Sequence, residues 1–244
     1  MEEAYRIFDY LPLSYKTETE QEYITFLWET FENNYEQGKY QFAFLAYHML
    51  FMSFVYFIIW QIKTNKKEDF DKALVAFQNE TERDFLNATS PFVFHKVNES
   101  VIFRFLKLIG CSKQEIGNYV KVVRYRNDIA HSCGNIFLNA QNTMDEKITL
   151  ILRYIDEIQD YSKTIIQNSF EDFLISSSNI DEREYSEDTD QIREILIHKN
   201  YLSSKDVTIC SEYDITQLNT HTEYSKIETM FNIFQNEYSE LEIL

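Results

Sequence analysis

The sequence predicts an all-α fold, and three observations lead to that prediction. The chain of 244 residues contains only four Gly and two Pro, too few for the many tight turns of a sandwich or a barrel. Apolar residues make up 44% of the chain, which is enough to form a buried core. Long segments also repeat their apolar residues at the 3.6-residue spacing of an amphipathic helix.

Two N-terminal segments are predicted to form consecutive helices. The first runs from about Glu20 to Tyr35 after an acidic first turn, and Gly38 is expected to end it. The second, residues 40–62, contains no formally charged residue and is long enough to cross a bilayer. We expect a buried central helix, because the segment contains His48 and many aromatic residues and because the other amphipathic helices need a surface to pack on. A membrane span is the alternative.

Three more helices are predicted in the middle of the chain. Residues 66–86 form an amphipathic pattern, and residues 93–109 form another that Gly110 closes. Ser112 followed three residues later by Glu115 is a capping-box pattern, which predicts a helix from Lys113 to about Cys133 that stops near Gly134.

The C-terminal half is predicted to contain one long helix and an acidic extension. The amphipathic helix runs from about Asn142 to Leu174, and the polar residues 176–190 are the best boundary in the chain. Short helices are expected after this boundary, with a strand at Val207–Cys210. The predicted organisation is therefore a helical domain (residues 1–175), an acidic linker (residues 176–190) and a mostly helical extension (residues 191–244) whose role the sequence does not indicate.

Charge is distributed unevenly along the chain. The formal net charge is −17, and residues 138–244 carry −14 of it, whereas residues 93–137 carry +4. An acidic surface argues against non-specific coating of nucleic acid, but the basic central stretch permits a local site. The three cysteines (Cys111, Cys133 and Cys210) fit neither a disulfide framework nor a metal site. Because the N-terminus lacks the features of a signal peptide, we expect a cytoplasmic protein.

The basic stretch contains one segment whose side chains could take part in a reaction, Arg126-Asn-Asp-Ile-Ala-His131. On a regular helix Asn127 and His131 are one turn apart, whereas Arg126 projects about 140° away from His131. Four polar side chains share one face of that helix: Lys121, Arg124, Asp128 and His131. Two copies of the helix that face each other would bring a guanidinium and an imidazole together more easily than one copy.

This segment resembles the R-x4-6-H motif of HEPN domains, including the Asn that often follows the Arg. The order of helices over residues 20–175 is also similar to a HEPN helical bundle. The resemblance implies a HEPN-like bundle that works as a homodimer and cleaves RNA as a metal-independent endoribonuclease, in a toxin–antitoxin, abortive-infection, CRISPR-associated or other antiphage system. It implies an RNA substrate and an antitoxin or regulatory partner protein, with no cofactor, no metal and no membrane.

The residue types suit this chemistry. Attack of a ribose 2′-hydroxyl on the adjacent phosphate needs proton transfer, for which His131 is the natural group, and cationic stabilisation, for which Arg126 offers a planar fork of donors. Asn127 is expected to bind the phosphate or to orient the His131 ring, and Asp128 is a supporting residue. Weaker candidates for guiding the RNA backbone are Lys121, Arg124, Lys96, Arg104 and Lys107.

Other interpretations of the same residues stay open. An Arg and a His on one helix are commonly surface residues, so a catalytically inactive HEPN-type scaffold that binds RNA, a nucleotide or a partner protein is the first alternative. Ser132 and Cys133 lie beside His131, but no acidic third member or nucleophile-elbow pattern supports a covalent mechanism.

Overall fold

The computed structural model of the chain describes residues 1–131 and 134–238, and every regular element in these two ranges is helical. This confirms the all-α prediction. The α-helices are α1 (Glu2–Tyr5), α2 (Glu18–Glu36), α3 (Tyr40–Asn65), α4 (Lys67–Leu74), α5 (Asn79–Leu86), α6 (Glu99–Ile102), α7 (Lys113–Ala130), α8 (Gln141–Ser178), α9 (Asp188–Gln191), α10 (Ser204–Ser211) and α11 (Tyr224–Tyr238). The 3₁₀ segments are Arg6–Tyr10, Pro91–Lys96, Phe103–Ile109, Ile180–Glu182 and Ile215–Leu218, and Ile192–His198 is a π-helix.

Helix α3 is the centre of the molecule, and α2, α7 and α8 pack around it. The helix is long and apolar enough to cross a membrane, with a mean hydropathy of 2.0 over 18 residues, but 83% of that window is buried within the fold. Its aromatic side chains form part of the core, among them Phe51, Phe54 and Phe57. This burial is what the prediction of a central core helix requires.

Local capping signals determine where two of the core helices begin and end. The Thr17 hydroxyl accepts a hydrogen bond from the Glu20 N–H (3.2 Å) at the start of α2. Gly38 follows α2 with a φ of +69°, a left-handed conformation that favours glycine. At the start of α7, Ser112 Oγ accepts from the Glu115 N–H (3.2 Å) and the Glu115 carboxylate accepts from the Ser112 N–H (2.6 Å). The predicted capping box is therefore confirmed.

Two segments that were each predicted as one helix are broken in the structure. Residues 66–86 form α4 and α5, and the break between them allows the Phe77 ring to stack on Phe105 with 5.7 Å between centroids. Residues 93–109 fall into two 3₁₀ segments and the short α6, because the Asn98 side chain caps a new helix by accepting the Ser100 N–H (2.9 Å). Tertiary packing and a local cap outweigh the helical periodicity in both segments.

Helix α7 is also shorter than predicted. It ends at Ala130, and His131 is its C-cap with extended backbone angles (φ −81°, ψ 139°). His131 therefore does not lie on the helix face that the sequence analysis predicts it to share with Lys121, Arg124 and Asp128. Cys133, the predicted end of the helix, lies outside the described residues.

The C-terminal part packs on α8 and contributes to the same hydrophobic core as the N-terminal part. Phe170 of α8 contacts Phe234 of α11 with ring centroids 4.8 Å apart. The predicted strand at Val207–Cys210 is wrong, because these residues lie in α10, where Ser203 and Asp206 form a second capping box. Within the predicted linker, Arg183 forms an ion pair with Asp188.

Candidate functional site

Helix α7 places Arg126 against the first residue of α6. A guanidinium nitrogen of Arg126 lies 2.5 Å from Oε2 of Glu99, and the Arg126 side chain is 30% exposed. The Asn98 cap and the short α6 fix the backbone of Glu99, so the carboxylate is presented from a defined position. The predicted phosphate-binding cation is therefore held in one orientation by an acidic partner on another helix.

A third residue completes this cluster. Nε2 of His48, in α3, lies 3.0 Å from the same Glu99 oxygen, and the His48 side chain is fully buried. His48 is buried together with α3, the helix that the sequence predicts to be the buried central one. Within the described part of the chain, however, its Nδ1 has no hydrogen-bond partner.

The cluster keeps Glu99 ionised. Burial by itself raises the pKa of this carboxyl, but the hydrogen bond and the charge of His48 and those of Arg126 outweigh burial and hold the pKa below its usual range. Glu99 is consequently an anionic acceptor that binds two partners through Oε2.

His131 lies apart from this cluster, at the exposed C-terminal end of α7. Its backbone N–H donates to the Asn127 carbonyl oxygen (3.1 Å), and its side chain is open to solvent. No hydrogen bond or ion pair joins Arg126 to His131 among the residues that the structure describes. A single copy therefore does not join the two predicted catalytic groups by a direct contact.

A small cleft lies between the end of α7 and the start of α8. It has a volume of about 220 Å³, and Tyr125, Asp128, Phe137 and Lys147 line it. The Lys147 ammonium lies 3.7 Å from the centroid of the Tyr125 ring, a cation–π contact. The cleft is lined both by the exposed Asp128 of the motif and by Lys147, a cation that was not predicted to belong to the site.

The residues predicted to guide RNA do not form one surface around Arg126. Lys121 and Arg124 are exposed on α7, and Lys121 donates a hydrogen bond to the Asn118 side chain (2.8 Å). Lys96 forms an ion pair with Asp84 at 2.7 Å. Arg104 and Lys107 line a separate groove between α5 and the 3₁₀ segment Phe103–Ile109.

The described residues offer neither a metal centre nor a reactive thiol. No group of three or more His, Cys, Asp or Glu side chains in residues 1–131 and 134–238 has the arrangement of a metal site. Cys111 and Cys210 are buried and free, and burial raises the pKa of the Cys111 thiol to about 12, which keeps it protonated. Cys133 and Ser132 lie outside the described residues.

The site includes residues that sequence reasoning missed, chiefly Glu99 as the partner of Arg126 and of His48. The sequence does mark His48 as unusual, since it is the one histidine in the uncharged segment of residues 40–62. The sequence does not mark Glu99, because it is one of 40 acidic residues and its partners His48 and Arg126 lie 51 and 27 positions away.

No protein-family model, curated protein or solved structure matches the chain. The resemblance to HEPN domains therefore stays a prediction from residues 126–131 and from the order of the helices.

Proposed function

We propose that the chain is a metal-independent endoribonuclease with a HEPN-like bundle, which acts as a homodimer in the cytoplasm, in antiphage defence or a toxin–antitoxin system. In the proposed reaction a ribose 2′-oxygen attacks the adjacent phosphorus and the 5′-oxygen leaves. The products are a 2′,3′-cyclic phosphate and a 5′-hydroxyl. His131 exchanges protons with these oxygens, and Arg126 stabilises the charge that develops on the phosphate.

The observation that carries the proposal is the anchoring of Arg126. A guanidinium that Glu99 holds at 2.5 Å, with 30% of its side chain exposed, has a fixed direction and a face open to a ligand. Preorganised donors of this kind stabilise a transition state better than a mobile surface arginine, because they need no reorganisation during the reaction. The exposed position of His131 supports access to a large substrate.

Exposed apolar side chains beside the motif support a dimer. Tyr125 is 43% exposed, Ile136 is 71% exposed and Phe137 is 46% exposed, and all three lie at or just after the end of α7. A second copy packed on this end would cover them. In the proposed dimer this packing would let His131 of one copy approach Arg126 of the other.

Cleavage of RNA in excess chelator tests the proposal. The wild type should yield products with 2′,3′-cyclic phosphate ends, and it should leave a substrate with a 2′-deoxyribose at the cleaved position intact. Arg126→Ala and His131→Ala should each lower the rate by about 100-fold or more, the usual contribution of such groups. Arg153→Ala, which removes an exposed arginine of α8 that is not predicted to contact RNA, is the matched control and should cleave like the wild type.

A heterodimer of Arg126→Ala and His131→Ala tests the composite site. If the two groups of each site come from different copies, this heterodimer keeps one intact site of two and retains about half of the wild-type rate, although each parent is inactive. Equal cleavage by all variants would show that the activity belongs to a contaminant or to another site.

The ion pair also favours a second candidate, the inactive HEPN-type scaffold. Glu99 neutralises part of the charge that Arg126 can offer to a phosphate. A scaffold would bind RNA in chelator without cleaving it, and Arg126→Ala would leave its binding nearly unchanged.

A further inference from the structure

His48 is the buried histidine of the central helix α3. Its side chain is fully buried beside the rings of Phe44 and Phe51, whose centroids lie 6.3 Å and 6.4 Å from that of the imidazole. Nε2 lies 3.0 Å from Oε2 of Glu99, whereas Nδ1 has no hydrogen-bond partner within the described part of the chain. In that part of the chain, Glu99 is therefore the one polar group that offsets burial of the imidazole.

The charge of Glu99 fixes the direction of this hydrogen bond. Glu99 is ionised at neutral pH because its pKa lies below the usual range, and a carboxylate oxygen accepts hydrogen bonds but does not donate them. Nε2 of His48 therefore carries a proton and donates the hydrogen bond to Oε2. The guanidinium of Arg126 donates to the same oxygen from 2.5 Å. Two donors, one on α3 and one on α7, thus meet on a single oxygen of Glu99.

These contacts connect the core of the protein to the predicted phosphate-binding cation. Exposure rises from 0% for the His48 side chain to 20% for Glu99 and 30% for Arg126. A glutamate side chain is flexible, and a contact with an equally flexible arginine alone would not hold its carboxylate in one place. The bond from α3 supplies a fixed point, because the His48 ring is enclosed by the close-packed core. The direction of Arg126 therefore depends on a residue that no substrate can reach.

We propose that His48 is a positioning residue of the proposed nuclease: its Nε2–H holds Oε2 of Glu99 in place and so directs the guanidinium of Arg126 towards the scissile phosphate. His48 does not contact the RNA, since its side chain is fully buried. The inference rests on the proposed function for its substrate. Because negative charge on the phosphate grows in the transition state, a misdirected guanidinium should lower kcat more than it raises KM.

Cleavage of a mixed-sequence single-stranded RNA by the full chain in excess chelator tests the proposal. His48→Leu removes the donor and should lower kcat by about 10- to 100-fold, with KM changed by less than about threefold. His48→Gln should keep kcat within about threefold of the wild type, because the amide nitrogen of Gln can take the place of Nε2 and donate to Glu99. This rescue separates loss of the hydrogen bond from loss of the imidazole ring.

Gln61→Leu is the matched control. Gln61 lies in the same helix, is 2% exposed and, like His48, donates a hydrogen bond to a carboxylate, here Oδ2 of Asp206 at 2.9 Å. It lies 13 positions from His48, which is about 20 Å along a helix. Its loss should therefore destabilise the fold without lowering kcat. The proposal is overturned if kcat falls equally in His48→Leu and Gln61→Leu, or equally in His48→Leu and His48→Gln.

NMR of the Arg126 side chain tests the positioning without any cleavage. A guanidinium that a carboxylate holds rotates slowly, so the wild type should give separate Nη signals for Arg126, which Arg126→Ala assigns by their loss. These signals should merge in His48→Leu and stay separate in His48→Gln and Gln61→Leu. If His48→Leu does not fold, the wild-type ring decides: its Nε2–H signal should shift on Arg126→Ala, because both groups bind Oε2 of Glu99, and an unchanged signal would overturn the proposal.

The two proposals fail in different ways. If the wild type cleaves RNA in chelator through Arg126 and His131, but a folded His48→Leu variant cleaves equally well, the positioning role is wrong and the nuclease stands. If the Arg126 signals respond to His48→Leu as expected but the wild type cleaves no RNA, the nuclease is wrong and only the positioning of Arg126 by His48 stands.

Discussion

Replacement of Glu99 by Ala is predicted to destabilise the fold and to release Arg126. The change removes the acceptor from Arg126 at 2.5 Å and from His48 at 3.0 Å, and it leaves a fully buried imidazole without a partner on Nε2. Hydrogen bonds to charged groups contribute about 1.5–3 kcal/mol each. Because Arg126 is 30% exposed and water can replace part of its bond, we expect a total loss of about 2–4 kcal/mol.

A second ion pair in the same part of the molecule provides the control. Asp84 and Lys96 are 2.7 Å apart, but their side chains are 26% and 47% exposed. Exposed pairs contribute little to stability, so Asp84→Ala should cost much less than Glu99→Ala. Urea unfolding of both variants and the wild type, followed by circular dichroism at neutral pH, gives the two differences in unfolding free energy.

The pH dependence of the Glu99→Ala effect follows from the lowered pKa of Glu99. A carboxyl whose folded pKa lies below its unfolded value stabilises the fold at pH values above the unfolded pKa, and this contribution is lost as the pH falls through the folded pKa. The difference between wild type and Glu99→Ala should therefore shrink in acid. A cost no larger than that of Asp84→Ala, or one that stays constant into acid, would refute the reasoning.

Two further predictions concern backbone conformation and a buried carboxyl. Gly110 has a φ of +102°, so Gly110→Ala should lower the unfolding free energy by about 1–2 kcal/mol, whereas Gly117→Ala, within α7 and with open space at its Cβ, should raise it by about 0.5–1 kcal/mol. Urea unfolding of both variants checks the opposite signs. Burial raises the pKa of Asp206, so the stability that this group contributes at low pH is lost as the pH rises through its folded pKa. Unfolding free energies across the acidic and neutral range should shift in favour of Asp206→Asn as the pH rises, and a constant difference would contradict the assignment.

The helices that the sequence predicts well are those with local signals. The Ser112–Glu115 capping box and the glycines at positions 38 and 110 act through backbone bonds within a few residues, so their pattern is visible in the chain. The broken segments are different. The stacking of Phe77 on Phe105 joins residues 28 positions apart, and no local pattern indicates that it interrupts the helix at residues 75–78.

The residues of the candidate site also differ in whether a local sequence pattern indicates them. Arg126 and His131 lie five positions apart and match one motif, so the sequence alone indicates them as candidates. Glu99 and His48 contribute through contacts between α3, α6 and α7, and only the tertiary structure brings them together. The helical wheel misplaced His131, because it assumed that α7 continues beyond Ala130.

The Arg126–Glu99 pair limits what one copy of the proposed site can do to a phosphate. At an effective dielectric constant of about 20, unit charges about 4 Å apart attract by about 4 kcal/mol. A phosphate about 4 Å beyond the guanidinium lies about 6.5 Å from the carboxylate, whose repulsion reduces the net attraction to about 1.5 kcal/mol. In the proposed dimer, a facing second copy offsets this weakness by bringing its His131 to the same phosphate, which is the composite arrangement that the heterodimer tests. Glu99 therefore fixes the direction of Arg126 at the expense of its charge, and this loss is the energetic reason to expect that the proposed reaction needs two copies.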